Sequence, residues 1–422
     1  MKRNGRTLAT TVPALGLVLS LTACGTTVSL SSTSVTGSGK IDTGACPATA
    51  TTAVTADTLV LGTSGPLSGT YAAVGATTRA IQAYVDVINE QGGLRTKSGT
   101  KKLRMVTLDD QYEAGQVQKN VHELVEKHGV SAVVGLVGTA NAKAVQPYLN
   151  QQCVPELFPL AGSASMLSKR APFTSMTSTY VDQGKAIGEF IKRHHPHATV
   201  AALVQNDDTG NDAMLGVEEA LRGSDIRVVA KESYEPTDAD VNSQLTTLAA
   251  SHADVFVDLA LSVKCTQSLS LLKPSSWRPA ILTDSACSAG AVAAAAADDV
   301  TRSLYRTNVA KASSLAYGGD PDFQLFHRAL ESRGVNPGDG ELGWLNFQFA
   351  LAAIANADPL SPVGIAESAF SLPEDAPIGF LEPGIKLSSG LGTAAIGGYS
   401  LDKWDPAHRQ FVPTGEGPVP VS

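Results

Sequence analysis

The sequence predicts an α/β protein with two lobes, each built on a doubly wound parallel sheet. Three observations lead to this prediction. The chain has 422 residues, of which 43% are hydrophobic, and this is enough for two cores. Short β-branched runs alternate with stretches of helical period. The alternation starts after Thr58 and again near Thr199, so we expect two separate sheets.

The first lobe is predicted to contain four strands, at residues 59–61, 103–108, 132–134 and 154–158. Apolar residues spaced i, i+3, i+4, i+7 predict amphipathic helices between the strands. One helix has its buried stripe at Ile81, Tyr84, Val85 and Ile88. The next has a similar stripe at Val117, Val121, Leu124 and Val125.

The second lobe is predicted to contain strands at residues 200–204, 226–229, 255–259 and 280–282. Helical spacing at Met214, Val217 and Leu221 places one helix between them, and Val241, Leu245 and Leu248 place another. A long apolar helix then follows at residues 344–354, and a strand is expected at residues 399–401. We therefore expect the chain to cross between the lobes more than once.

The amino terminus indicates export. Lys2, Arg3 and Arg6 precede an apolar run at residues 12–21, and Leu21-Thr22-Ala23-Cys24 resembles a bacterial lipobox. This resemblance implies a lipoprotein signal peptide at residues 1–23 and a lipid on Cys24; the alternative is an ordinary secretory peptide. Residues 24–56, rich in Thr, Ser, Gly and Ala, are predicted to form a flexible stalk. The expected location is extracytoplasmic, anchored to the cell membrane.

Composition and motifs argue against several functions. The net charge of −8 disfavours nucleic acid as a partner. The sequence has no GxxxxGK[ST], GxSxG or HExxH motif, so no enzyme activity and no cofactor are expected. The histidines of His194-His195-Pro196-His197 are predicted to lie on a solvated loop, and no metal site is expected.

The predicted ligand site follows from the strand ends. In doubly wound sheets, ligands bind beyond the carboxyl ends of the strands. Small, hydroxylic or acidic residues occupy those positions in both lobes, among them Thr139, Ser163, Asp208, Ser262 and Asp284. Hydroxyls and backbone amides at helix starts can bind a carboxylate, and an opposing acid can receive an ammonium group. A zwitterion fits such a cleft.

The chain then resembles the type I periplasmic solute-binding proteins, in particular the leucine/isoleucine/valine-binding receptors of ABC transporters. The strongest match is Leu61-Gly62-Thr63-Ser64-Gly65-Pro66-Leu67-Ser68-Gly69, followed by Tyr71, Gly75 and Ile88-Asn89-Glu90-Gln91-Gly92-Gly93. Later segments agree in order, including Val134-Gly135-Leu136-Val137-Gly138-Thr139 and Asp207-Asp208-Thr209-Gly210. The similarity runs from about Asp57 nearly to the carboxyl end.

The resemblance implies two lobes joined by a multi-strand hinge, which close on a small solute and deliver it to a membrane permease. Lobe 1 would comprise residues 57–177 plus about 307–375, and lobe 2 about 178–306 plus about 376–422. A monomer is expected. A ligand-sensing subunit of a signalling system is the alternative that the sequence leaves open.

The resemblance also implies individual site residues. Thr139 would bind an α-carboxylate, Asp284 would receive an ammonium group, and the remaining ligand-binding positions are Tyr71, Gly138, Ala161, Gly162, Ser163 and Thr209. Thr139 could instead only cap a helix, and Asp284 could only close a turn. Thr209 stands where the family often has an aromatic lid, which argues for a different or larger solute.

Cys46, Cys153, Cys265 and Cys287 are an even set in an oxidising compartment, so disulfides are expected. The family's first-lobe disulfide is absent, because Tyr112 and Glu113 occupy that region. Cys265 and Cys287 each follow one of two adjacent predicted strands, so we predict that they are bonded. Cys46 would then pair with Cys153, although four cysteines allow three pairings.

Overall fold

The computed structural model describes residues 40–388 and 390–421. The predicted signal peptide, the predicted lipidation site Cys24 and the part of the predicted stalk at residues 24–39 lie outside the described residues. The helices are α1 (Ala48–Thr51), α2 (Ala76–Glu90), α3 (Ala114–Glu126), α4 (Thr139–Gln152), α5 (Tyr180–His194), α6 (Asp208–Leu221), α7 (Asn242–Ala250), α8 (Val263–Leu272), α9 (Ala289–Ala295), α10 (Ser314–Tyr317), α11 (Pro321–Glu331), α12 (Pro337–Asn356) and α13 (Pro362–Ala369).

The strands form two sheets. They are β1 (Thr58–Gly65), β2 (Leu94–Thr96), β3 (Gly99–Asp109), β4 (Ala132–Val134), β5 (Glu156–Leu157), β6 (Thr174–Ser175), β7 (Thr199–Gln205), β8 (Arg227–Tyr234), β9 (Val255–Leu259), β10 (Ala280–Thr283), β11 (Leu304–Asn308), β12 (Gly398–Asp405), β13 (Gln410–Pro413) and β14 (Val419–Pro420). The first sheet has the order β2-β3-β1-β4-β5-β6, and the second has the order β13-β12-β11-β10-β9-β7-β8, with β14 paired to β12.

Both sheets are parallel in their centres, as predicted. β3, β1, β4, β5 and β6 pair in parallel, and so do β11, β10, β9, β7 and β8. The edges differ from the prediction, because β2 is antiparallel in the first sheet and β12 to β14 are antiparallel in the second. These edge strands are short or lie in turn-rich sequence, so their periodicity is weak.

The chain returns to the first sheet after β11. Helix α12 packs on α2, where the Trp344 ring stacks on Tyr84 with a centroid distance of 3.9 Å. A Cβ at Gly343 would lie 2.2 Å from the backbone oxygen of Thr77, so only glycine allows the two helices to approach this closely. The predicted change of lobe near residue 307 falls inside β11, which belongs to the second sheet. β12 then returns to that sheet.

Both predicted disulfides are present. Cys46 is bonded to Cys153 at the end of α4, and Cys265 on α8 is bonded to Cys287. The predicted stalk differs from the structure at residues 40–56, which pack on the first lobe. Ile41 and Ala50 are buried there, and Val54 N donates to Leu360 O at 2.7 Å. Composition alone predicted that the entropy cost of ordering this segment would keep it flexible. The disulfide and these few apolar contacts offset that cost.

None of the helices within the described residues has the length and apolar character needed to span a lipid bilayer.

Candidate functional site

A cavity of about 160 Å³ lies between the two sheets, beyond the carboxyl ends of their central strands. The first sheet contributes the turns after β4, β5 and β6 to its wall. The second sheet contributes the turns after β9 and β10 and the start of α6. Helix α12 closes one side with residues of its first three turns. The wall thus combines segments from both lobes, which is the arrangement expected of a site that closes on its ligand.

Five of the eight predicted ligand-binding residues line this cavity, namely Gly138, Ala161, Gly162, Thr209 and Asp284. The other three, Tyr71, Thr139 and Ser163, are not part of the wall and have protein partners. Tyr71 Oη donates to Pro236 O at 2.8 Å, and Ser163 Oγ donates to Asp212 Oδ2 at 2.9 Å. Thr139 Oγ1 lies 3.5 Å from Tyr180 Oη. Gly138, not Thr139, is the N-cap of α4.

Two tyrosines that the sequence analysis did not select fill part of the site. Tyr112 has a φ of +67°, and a Cβ at Gly138 would lie 2.8 Å from its ring. Tyr180 is the first residue of α5, and a Cβ at Gly162 would lie 2.6 Å from its ring. Each of these rings therefore rests on a glycine of the first lobe. Burial raises the pKa of Tyr180 to about 12 and raises that of Tyr112 as well, so both phenols remain protonated.

A local signal could have identified Tyr180. Thr179 caps α5 by accepting from Asp182 N at 3.1 Å, and Thr-x-x-Asp is a recognisable helix start. Tyr180 directly follows this cap, at a helix amino terminus that points to the cleft. Tyr112 offered no such signal, because its left-handed backbone depends on the turn in which Tyr112 N donates to Asp110 Oδ1 at 2.9 Å.

Asp284 is a buried acid in the cavity wall, with 3% of its surface exposed. Its Oδ1 accepts from Ala286 N at 2.8 Å, so the residue also closes the turn after β10. Among the described residues, no side chain donates to its carboxylate. Burial raises the pKa of Asp284 to about 6, against the opposing effect of backbone hydrogen bonds, so the carboxylate is ionised at neutral pH.

Two more acids come from the first turns of α12. Asp339 Oδ1 accepts from Ser288 Oγ at 2.7 Å, a contact between α12 and the second lobe. Glu341 forms a buried ion pair with Arg306, whose Nη2 lies 3.0 Å from Glu341 Oε2. Burial nevertheless raises the pKa of Glu341 to about 7. No lysine or arginine is part of the wall in the described part of the chain, so the cavity is acidic.

Further contacts join the lobes at the edge of the cleft. Lys143 on α4 forms an ion pair with Asp208 on α6, with Nζ 2.5 Å from Oδ2. Ala164 N also donates to Asp212 Oδ2, at 3.2 Å. Together with the Tyr71 and Ser163 hydrogen bonds, they hold the two lobes against each other around the cavity.

Known proteins agree with this architecture. The family model described as "Periplasmic binding protein" matches residues 58–381. The leucine-, isoleucine-, valine-, threonine-, and alanine-binding protein of Pseudomonas aeruginosa is 25% identical over 195 residues, which are 46% of this chain and 51% of the relative. The chain thus matches about half the length of that relative.

Two solved structures share the fold. A branched chain amino acid ABC transporter protein from Thermus thermophilus with bound valine superposes with a TM-score of 0.74 at 17% identity, covering 86% of this chain and 96% of the other. A solute-binding protein of an ABC transporter from R. palustris in complex with benzoate gives a TM-score of 0.71 at 18% identity, covering 86% and 97%.

These matches confirm the type I fold that the motifs of the first lobe predicted, and the family implies a location outside the cytoplasm. The relatives are solute-binding proteins. The family model spans most of the chain, including every wall residue of the cavity except Tyr399. The chain belongs to the periplasmic binding protein family.

Proposed function

We propose that this protein is the extracytoplasmic receptor of an ABC importer and that it captures a small amine-bearing solute, an amino acid or a related molecule, between its two lobes. The observation that carries the proposal is Asp284. It is a buried, ionised carboxylate without a side-chain partner among the described residues, in a cavity whose wall has no cation. A buried charge is costly unless it is paired, and an ammonium group of the solute would pair it.

Capture would proceed by a population shift. A ligand that contacts both lobes stabilises the closed state relative to the open one. Asp284 belongs to the second lobe, and Gly138 and Ala161 belong to the first, so one small molecule can contact both. The membrane permease would recognise the closed surface and receive the solute when the lobes separate.

The relatives support a small organic solute. The P. aeruginosa relative is named for aliphatic amino acids, and the T. thermophilus protein carries valine. The R. palustris protein carries benzoate, so the same fold also accommodates an aromatic acid. The acidic wall favours the amine-bearing solutes over benzoate for this chain.

A lipid on Cys24 would hold the receptor at the membrane surface. The receptor would act as a monomer. Cys24→Ala should release the protein from the membrane fraction, and lipid labelling of this variant would contradict the anchor.

Calorimetry tests the proposed function. The melting temperature of the full chain in detergent would be measured by scanning calorimetry with each of a set of amines, amino acids, organic acids and sugars. A ligand at 100 times its dissociation constant should stabilise the protein by about 2.7 kcal/mol. Asp284→Asn should remove the response, whereas Asp375→Asn, which changes an exposed acid away from the cavity, should keep it. Binding of sugars or organic acids alone would contradict the proposal.

A further inference from the structure

We infer that the solute is a compact primary amine with an apolar body and no carboxylate group. This inference rests on the proposed function and narrows it, because an α-amino acid carries both groups. Four features of the site support it: the sign of the charges in the cavity wall, the partners of the Thr139 and Ser163 hydroxyls outside that wall, the two tyrosine rings, and the aliphatic side chains of the wall.

The charges of the wall disfavour a carboxylate. Asp284, Asp339 and Glu341 line the cavity, and in the described part of the chain only Glu341 has a basic partner, Arg306, behind the wall. A ligand carboxylate would be desolvated next to like charges and would find no lysine or arginine in the described wall. An ammonium group would instead be attracted by the negative charges of these acids.

The hydroxyls predicted to bind a carboxylate have other partners. Ser163 Oγ donates to Asp212 Oδ2 at 2.9 Å, and Ser163 is 1% exposed. Thr139 is 3% exposed, and its Oγ1 faces Tyr180 Oη at 3.5 Å. To bind a ligand carboxylate, each hydroxyl would have to give up its present partner and open a path to the cavity.

The tyrosine rings occupy the first-lobe side of the site. Glycine at positions 138 and 162 would permit close approach of a ligand to the backbone, but Tyr112 and Tyr180 already contact those positions. Both rings are part of the cavity wall. An aromatic wall attracts a cation through the quadrupole of its rings, so these tyrosines replace a carboxylate site with a surface suited to an amine.

The aliphatic part of the wall suits an apolar body of limited size. Val74, Val137, Leu160, Leu261, Val309 and Leu342 contribute to it. The cavity volume of about 160 Å³ is close to the ~150 Å³ of an apolar cavity that holds benzene. A benzyl or branched five-carbon group therefore matches the available space, with its amine directed to Asp284.

Matched ligands test the inference. The full chain would be titrated by calorimetry at pH 7.5 with benzylamine, phenylglycine and benzoate, and with isoamylamine, leucine and 4-methylpentanoate. We expect at least one amine to bind at least tenfold more tightly than its amino acid, and the two acids not to bind. If an amino acid binds as tightly as its amine or more tightly, the inference is overturned and the proposed function stands. If only the acids bind, both are overturned. If none of the six binds, the inference is overturned, and the wider ligand screen decides the proposed function.

Variants provide a second readout. Asp284→Asn should weaken amine binding at least tenfold, with Asp375→Asn as the control. Tyr180→Ala should expose the Thr139 hydroxyl and the backbone at Gly162, and should reduce the preference for benzylamine over phenylglycine. Tyr180→Phe, which keeps the ring, should retain that preference. An unchanged preference in a folded Tyr180→Ala variant would contradict the role given to the ring, and the wild-type titrations decide the inference if that variant does not fold.

Discussion

Ser163 of the first lobe donates a hydrogen bond to Asp212 of the second, with 2.9 Å between Oγ and Oδ2. Asp212 lies on α6 and also accepts from Ala164 N. The resemblance had implied that Ser163 binds the solute. In the structure its hydroxyl joins the two lobes, so it contributes to closure and lies outside the cavity wall.

Ser163→Ala should weaken solute binding about fivefold without a contact to the solute. The hydrogen bond to a charged acceptor favours the closed lobes, and its loss would shift the population toward the open state. Calorimetry of Ser163→Ala, Asp212→Asn and the double variant would measure the coupling. Ser243→Ala, an exposed hydroxyl on α7, is the control. Additive effects of the two substitutions would show that the hydrogen bond has no role in binding.

Asp284→Asn should stabilise the ligand-free protein. The pKa of Asp284 rises from 3.8 to about 6 on folding, so the folded state binds the proton more tightly than the unfolded state does. Above pH 6 the ionised carboxylate therefore lowers stability, by about 2–3 kcal/mol, and this cost disappears as the pH falls toward 4. In urea unfolding at pH 7.5, Asp284→Asn should have a higher free energy of unfolding than the unsubstituted protein. At pH 4 the two should differ little. An equal gain in both would refute the explanation.

Amine binding should weaken as the pH falls through about 6. Asp284 loses its charge there, and Glu341, whose pKa is about 7, is already losing its own. The amine stays protonated over this range, because alkyl amines titrate near pH ~10. Isothermal titrations between pH 8 and pH 5 would follow the affinity. A constant affinity for the amine across this range would remove Asp284 from the binding site.

The two disulfides should differ in their effect on binding. Cys46 and Cys153 are 107 residues apart and lie away from the cavity, so replacing both by serine should cost about 4–5 kcal/mol of stability and leave affinity unchanged. Cys265 and Cys287 are 22 residues apart, with an expected cost of about 3 kcal/mol. Cys287 belongs to the same turn as Asp284, since Cys287 N donates to Asp284 O at 3.2 Å. Loss of the disulfide would loosen this turn, so this second replacement should also weaken solute binding. Unfolding curves and calorimetry of both double variants would compare them.

Arg306→Met should destabilise the protein by about 3–5 kcal/mol. The Arg306 guanidinium is buried between Glu341 and Asp402, and its removal leaves two acids without their cation. Lys403→Met, on the neighbouring strand but exposed, should have little effect. Chemical denaturation of the two variants would test the difference, and a small loss for Arg306→Met would mean that the acids become protonated at little cost.

Much of the fold could be predicted because it depends on local patterns. The short apolar runs at residues 200–204 and 255–259 lie within β7 and β9. The apolar stripe from Ile81 to Ile88 lies within α2. Burial of one stripe or one run requires only the right spacing along the chain. The short β6 and the antiparallel β13 and β14 depend on neighbours far away in sequence, and their own residues carry little signal.

The sequence by itself predicted the two-lobed fold, the family, the Cys265–Cys287 disulfide and the position of Asp284 at a strand end. The tertiary structure alone decided which of those strand-end residues reach the cavity. Tyr112 and Tyr180 lie 68 residues apart, and Glu341 and Arg306 meet only because the chain returns to the first sheet after β11. The rotamers and partners of such residues depend on how the lobes pack together, and no local pattern encodes that packing.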